Sequence, residues 1–183
     1  MANEVLLKTG AQFLFADHAT DFGSAPATAG NSLIIGSPTD VQMDNTSVAN
    51  GAGRASAKAT LGTPWAREWT VDACLEFASA PTDGGVVEFY WAPSPSSTAG
   101  TGNPAGLAGT DEAYTTATGR DGMLLPIGVL VVRNNAVCIG HVGTFTPPYQ
   151  YGILVLVNRT GTALASAADE THIVLTEMVD EVQ

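Results

Sequence analysis

Charge is scarce in this sequence: 14% of its 183 residues are charged, where a soluble domain ordinarily carries about 25%. Lysine occurs only twice, as Lys8 and Lys58. Exposed helices build their solvated faces from Lys, Glu, Gln and Arg with partners four residues apart, so a helical architecture lacks its raw material. Seven basic residues stand against 18 acidic ones, a formal net charge of -11. Nucleic acid and anionic membranes are both held by clustered Lys and Arg, so neither is an expected partner.

Long apolar runs are also missing; none approaches the roughly 20 residues of a membrane span. Met1-Ala2-Asn3-Glu4-Val5 has no basic region leading into an apolar stretch and does not read as a signal peptide, so synthesis in the cytoplasm is expected. Without a secretory signal, the glycosylation sequons Asn45-Thr46-Ser47 and Asn158-Arg159-Thr160 carry no weight. There are only two cysteines, Cys74 and Cys138, in apolar alternating segments without CxxC spacing or a neighbouring His. They are expected to be buried free thiols that behave as small hydrophobes. The length suits one domain over 1–183, able to bury about 70% of its chain surface without a metal or disulfide staple.

Small and turn-forming residues are abundant instead: 20 Gly, 10 Pro, 27 Ala and 21 Thr. The dominant pattern is period-two alternation, clearest from Glu68 to Phe77. Trp69, Val71, Ala73, Leu75 and Phe77 point one way, and Glu68, Thr70, Asp72, Cys74 and Glu76 the other, as in a half-buried strand. After the turn-like Pro81-Thr82-Asp83-Gly84-Gly85, residues 86–91 alternate again, with Val87, Phe89 and Trp91 on the core side. The two segments read as an antiparallel hairpin. Further strands are predicted at 12–15, 32–36, 54–61, 123–132, 136–142, 149–157 and 171–179, with no convincing helix. The stretch 49–59 reads equally as a short helix or as a strand beside 70–77. The similar runs 128–132 and 152–157 read as neighbouring buried strands or as chance β composition.

Many short strands between Gly/Pro-rich turns predict an all-β fold, an antiparallel β-sandwich of jelly-roll-like topology with long inter-strand loops. Residues 92–122 are the longest such loop. Their first part is nearly free of large apolar side chains, and 92–108 carry no charge. Uncharged loops on an acidic chain are expected to make subunit contacts.

Motifs for chemistry are few. His18, His141 and His172 are far apart, and no HxH, HExxH or CxxC spacing supplies a metal site. No nucleophile elbow or phosphate-cradling glycine loop is present. Within Phe15-Ala16-Asp17-His18-Ala19-Thr20-Asp21, the two aspartates read as an Asx-type turn or, less simply, a small acidic site. Arg120-Asp121-Gly122, Asp111-Glu112 and Asp169-Glu170 read as solvated turns; loop carboxylates can hold calcium, but no EF-hand spacing occurs. The densest acidic array is Glu68, Asp72 and Glu76 with Glu88 on the partner strand. Same-face neighbours on a strand lie about 6.6 Å apart, and glycoside hydrolysis uses carboxyl pairs about 5 to 9.5 Å apart. A sugar-binding module or a glycosidase working through Glu76 and Glu88 is therefore the rival to a merely solvated or subunit-facing sheet. No catalytic, cofactor-binding or metal residue is assigned.

Glu88-Phe89-Tyr90-Trp91-Ala92-Pro93-Ser94-Pro95-Ser96-Ser97, the segment Gly143-Thr144-Phe145-Thr146-Pro147-Pro148-Tyr149-Gln150-Tyr151-Gly152 and the ending 171–183 resemble small structural proteins of tailed bacteriophages. The similarity extends over most of the chain, including Phe15-Ala16-Asp17-His18 and Gly36-Ser37-Pro38-Thr39-Asp40-Val41-Gln42. The resemblance implies a virion component built on a β-sandwich or jelly roll, made in the host cytoplasm: a capsid decoration (cement) protein, or a tail or fibre-attachment protein. It carries over no catalytic residue. The implied partners are further copies of the chain, with a homotrimer as the expected state, and the major capsid protein or other virion proteins. Residues expected at partner surfaces are Pro93, Pro95, Asn103 and Pro104 in the long loop, and Phe145, Pro147, Pro148, Tyr149 and Tyr151 around 144–151. Extended Pro/Thr/Gly segments there can present backbone donors and acceptors to a neighbour.

Overall fold

The alternating segments become strands in the computed structural model, which describes residues 5–115 and 121–182. In chain order they are β1 (Val5–Ala16), β2 (Thr39–Gln42), β3 (Gly53–Ala55), β4 (Ala59–Thr60), β5 (Glu68–Glu76), β6 (Val86–Ser94), β7 (Glu112–Tyr114), β8 (Leu125–Val131), β9 (Val137–Phe145), β10 (Tyr151–Arg159) and β11 (His172–Val182). Helical structure among the described residues amounts to short 3-10 turns at Ala29–Asn31, Pro104–Gly106 and Asp121–Met123.

Two sheets face each other, one ordered β2-β1-β11-β5-β9 and the other β7-β3-β10-β6-β8, with β4 against the start of β10. The antiparallel pairs are nested: β1 with β11, β3 with β10, β5 with β9, and β6 with β8. A long hairpin rolled up on itself produces this nesting, and the result is the eight-stranded jelly roll with β2, β4 and β7 as additions. The connectivity corrects the predicted hairpin. β5 and β6 are consecutive in the chain but lie in opposite sheets, because 77–85 crosses the sandwich instead of making a tight turn. Phe77 instead bridges to Leu164.

All seven side chains of β5 and β6 assigned to the core, with Phe77 just beyond β5, are buried: Trp69, Val71, Leu75, Phe77, Val87, Phe89 and Trp91. They meet Phe13, Phe15, Leu154, Leu156, Ile173 and Leu175 between the sheets. Trp69 packs on Phe13 at 5.5 Å between ring centroids, and Trp91 on Phe145 at 5.4 Å. Each buried aromatic removes about 150–250 Å² from water, worth roughly 4–6 kcal/mol as an upper bound, so these rings dominate the hydrophobic term.

Parts of the outer faces are covered too. Seven of the nine residues of β10 are buried because the strand is covered on both sides. Leu154 and Leu156 face the central core, while Ile153, Val155 and Val157 face a second cluster with Ala105, Leu107, Tyr114 and Leu124. The long loop is thus a roof over the β7-β3-β10-β6-β8 sheet. On the opposite sheet Leu14, Ala16 and Val174 are roofed by Phe22, Leu33 and Ile34. That explains why 32–36 is not the predicted strand: its apolar residues serve as cover, in irregular backbone. The predicted strand 54–61 is divided into β3 and β4, and β3 pairs with β10 and β7, not with 70–77. The runs in β8 and β10 are not neighbours, since β6 lies between them.

Candidate functional site

The four-carboxylate face proposed from sequence does not form. Glu68, Asp72 and Glu76 lie on the outer face of one sheet, but Glu88 lies on the outer face of the other, as the β5–β6 crossing requires. Asp72, Glu88 and Glu76 are also engaged locally, while Glu68 is exposed. Asp72 Oδ1 sits 3.1 Å from His141 Nδ1, and Glu88 Oε2 accepts from Arg159 Nε and Tyr90 Oη, both at 3.3 Å. Glu76 Oε2 accepts the Glu170 N–H at 3.4 Å, and burial pushes its carboxyl pKa up.

The remaining acidic turns are structural. Asp17 Oδ1 accepts the Ala19 N–H, the Asx-type turn the sequence indicated, and also Gln42 Nε2 at 2.6 Å. Burial opposes ionisation of Asp17, but the hydrogen bonds from Thr20 and Gln42 outweigh it and hold its pKa low. Asp111 binds Arg54 Nε at 2.6 Å and the Asp44 N–H at 3.1 Å, so the roof is clamped to β3 and to the segment after β2. The hydrogen bond to Asp111 raises the Arg54 pKa further. Among the described residues no group of three His, Cys, Asp or Glu side chains converges to hold a metal ion. Arg120 of the Arg120-Asp121-Gly122 turn and residues 116–120 of the long loop lie outside the described residues, as does Met1-Ala2-Asn3-Glu4.

The uncharged loop has an intramolecular use. The three N–H donors of Lys58 Nζ are shared among Ser94 Oγ and the carbonyls of Ser96, Thr98 and Thr101, at 2.7 to 3.0 Å. Burial lowers its pKa. Asn103 donates its amide to Ala99 O and Leu107 O, at 2.6 and 2.8 Å. A loop without side-chain charges is stable here because one ammonium gathers its carbonyls. Of the residues expected at partner surfaces, Phe145 is a core side chain and Pro147 is buried. Phe145 cannot serve a partner, because its ring packs against Trp91 in the core. Pro93, Asn103, Pro104 and Tyr151 are half-buried, while Pro95, Pro148 and Tyr149 are exposed.

Both cysteines are free and buried, on opposite faces of adjacent strands. Burial, aided by Glu170 and Glu76, pushes the Cys74 thiol pKa up to about 12. His172 is fully buried, with Nδ1 2.7 Å from Glu170 O and Nε2 accepting the Leu33 N–H at 3.3 Å. It fastens the roof segment to β11. Neither arrangement places a nucleophile beside a free base.

What stays open is surface. An open groove of about 240 Å³ beside the cis Thr63–Pro64 bond is lined by Trp65, Arg67, Glu177 and Met178. Across the sandwich, β8 and β9 form one side wall, the last strand of each sheet. Val129, Val131 and Ile139 stand 44%, 50% and 43% exposed there, and Val131 and Ile139 border a cleft of about 210 Å³ lined also by Arg133, Asn135 and Val137. These residues were not assigned from sequence. The signal available was charge: no Asp or Glu occurs between Asp121 and Asp169.

The chain is therefore an all-β jelly-roll sandwich whose outer faces are partly roofed by its own loops and whose β8–β9 wall exposes apolar side chains. No family model, no curated protein and no solved structure matches it.

Proposed function

We propose that the chain is a non-enzymatic structural subunit of a tailed-bacteriophage virion, a capsid decoration (cement) protein that associates with itself and binds the shell after synthesis in the host cytoplasm. The observation that carries this reading is the surface left after folding. Asp72, Glu76, Glu88 and Asp111 are paired within the chain and the long loop is gathered on Lys58, whereas Val129, Val131 and Ile139 stand exposed on the β8–β9 wall. Contiguous exposed apolar patches mark interaction sites. Jelly rolls occur in viral capsid domains, and also in lectins and cupins, so the fold supports the reading by analogy alone. A tail or fibre-attachment position would use the same surface.

The test is co-sedimentation of the purified protein with decoration-free capsids and, separately, with tails. Saturable binding to shells that raises their resistance to heat is the expected result. Failure to bind either particle overturns the reading. Glycan binding, the rival, retains one feature, the exposed Trp65 ring with Arg67 in the groove beside β11. Stacking on an aromatic face is the chemistry a sugar would use. A glycan array that gives no signal for the wild type, or the same signal for Trp65→Ala, removes it.

A further inference from the structure

The two side walls of the sandwich differ. One carries β2 and β7, four and three residues long, flanked by Asp40, Asp44, Asp111 and Glu112. Short, charged edge strands of this kind blunt pairing with another sheet. The other wall carries β8 and β9, seven and nine residues long, with Val129, Val131, Val137 and Ile139 and no acid on either strand. The nearest acids lie one strand inward, where Asp72 faces His141 and Glu88 faces Arg159. Glu76, opposite Val137 across the β5–β9 ladder, accepts the Glu170 N–H. Among the described residues, the Arg133 side chain at the mouth of the cleft has no ion-pair partner.

We infer that a second copy of this chain covers the β8–β9 wall through a two-fold contact. The inference rests on the self-associating subunit reading above and names the surface it uses. Two features select a copy of the same wall as the occupant. A chain of net charge -11 repels itself wherever its acids meet, and this wall is where the sequence has none. The exposed valines and Ile139 need an apolar counterpart, which the opposite wall, with its aspartates, does not offer. Ile139 and Val131, which border the cleft, then fill the recess of the facing copy. A head-to-tail arrangement would set a nine-residue apolar edge against a four-residue acidic one, so it is disfavoured. The two-fold contact makes the assembly even-numbered, in place of the trimer expected from sequence.

Light scattering during size exclusion, at about 100 µM so that even a weak contact is populated, reads the outcome. The wild type is expected to elute at twice the monomer mass. The double variant Val131→Glu/Ile139→Glu is expected to be monomeric, with an unchanged circular dichroism spectrum and a retained unfolding transition. Val131→Arg/Ile139→Arg is expected to be monomeric alone and to recover dimers when mixed with the Glu variant, because the two walls then face each other with opposite charge. Asp40→Lys, on the opposite wall, leaves the dimer intact. A monomeric wild type overturns the inference. So does a folded Glu variant that still associates, but that result leaves the subunit reading standing, since self-association would then use another face. Shell binding by a protein without this contact separates the two in the same way.

Discussion

The Lys58 ammonium lies 2.7 Å from the Thr98 carbonyl oxygen, and it draws the Ser96 and Thr101 carbonyls and the Ser94 hydroxyl around the same point. One of only two lysines in the sequence therefore organises the roof over β10. Lys58→Met keeps the aliphatic stem and removes the donors. It is expected to cost about 1–3 kcal/mol, the range for hydrogen bonds to a charged group, and to make residues 95–101 the first site of limited proteolysis. Lys58→Arg is expected to recover only part of the loss, because a planar fork cannot address four acceptors clustered about one point. Equal urea midpoints for wild type and Lys58→Met would remove the ammonium from the account.

The Trp91 indole packs closely against Gly152 on the neighbouring strand. A Cβ at 152 would fall 2.2 Å from the indole Cε2, inside a core that also holds Phe145. Gly152→Ala is expected to destabilise by about 1–3 kcal/mol or more, since the indole has no free space to retreat into. Gly140→Ala meets only the Leu130 Cδ1 methyl, at 2.9 Å, and a methyl can rotate aside. The expected order in urea denaturation is wild type, then Gly140→Ala, then Gly152→Ala. A reversed order would show that β10 shifts more easily than its two-sided burial implies.

The class of fold was legible because alternation and turn composition are local properties of the chain. Trp69, Val71, Leu75, Val87, Phe89 and Trp91 are core residues for the reason the sequence displays, period two with apolar residues on one face. Pairing was not legible. A crossing between sheets and a tight hairpin both begin with a Gly/Pro-rich segment such as 81–85, and only the nested order of eight strands decides between them. Leu33 and Ile34 are apolar because they cover β1 and β11, and a covering coil has no period to distinguish it from a strand. The uncharged loop pointed outward to partners when read as composition, whereas in three dimensions its carbonyls turn inward to Lys58. The exposed β8–β9 wall left only a negative trace, the missing acids between Asp121 and Asp169.

The two thiols differ in access. Cys74 is wholly buried, and its pKa, raised to about 12, leaves almost no thiolate at pH 8. Cys138 is buried too, but it borders the open cleft and donates weakly to Arg133 O and Asn135 O. Thiolate is the reacting species. Titration of the folded protein with a disulfide reagent at pH 8 is expected to modify Cys138 slowly and Cys74 only after unfolding. Cys138→Ala should therefore leave a native protein with no reactive thiol, and rapid labelling of that variant would contradict the burial of Cys74.

His172 gives the fold a pH dependence of known direction. Leu33 donates its N–H to Nε2, so the neutral ring carries its proton on Nδ1 and donates it to Glu170 O. Phe22 closes over the ring at 5.2 Å, and burial pushes the His172 pKa below its ordinary value, against the opposing pull of Glu170. The unfolded chain accordingly binds a proton that the folded chain refuses, and stability falls as pH drops through about 6.5 and below, by at most about 1.4 kcal/mol per pH unit. Full stability from this group is present above that pH. Glu76 works oppositely, because its raised pKa favours the folded state as pH falls through the carboxylate range. The His172→Asn comparison separates the two, because Glu76 is the same in both proteins. Urea midpoints between pH 5.5 and 7.5 should rise with pH for the wild type. For His172→Asn, which keeps a donor toward Glu170 O and cannot be protonated, they should be lower at pH 7.5 and flatter across the range. An equally steep slope in that variant would assign the dependence to another group and leave the Leu33 contact as packing alone.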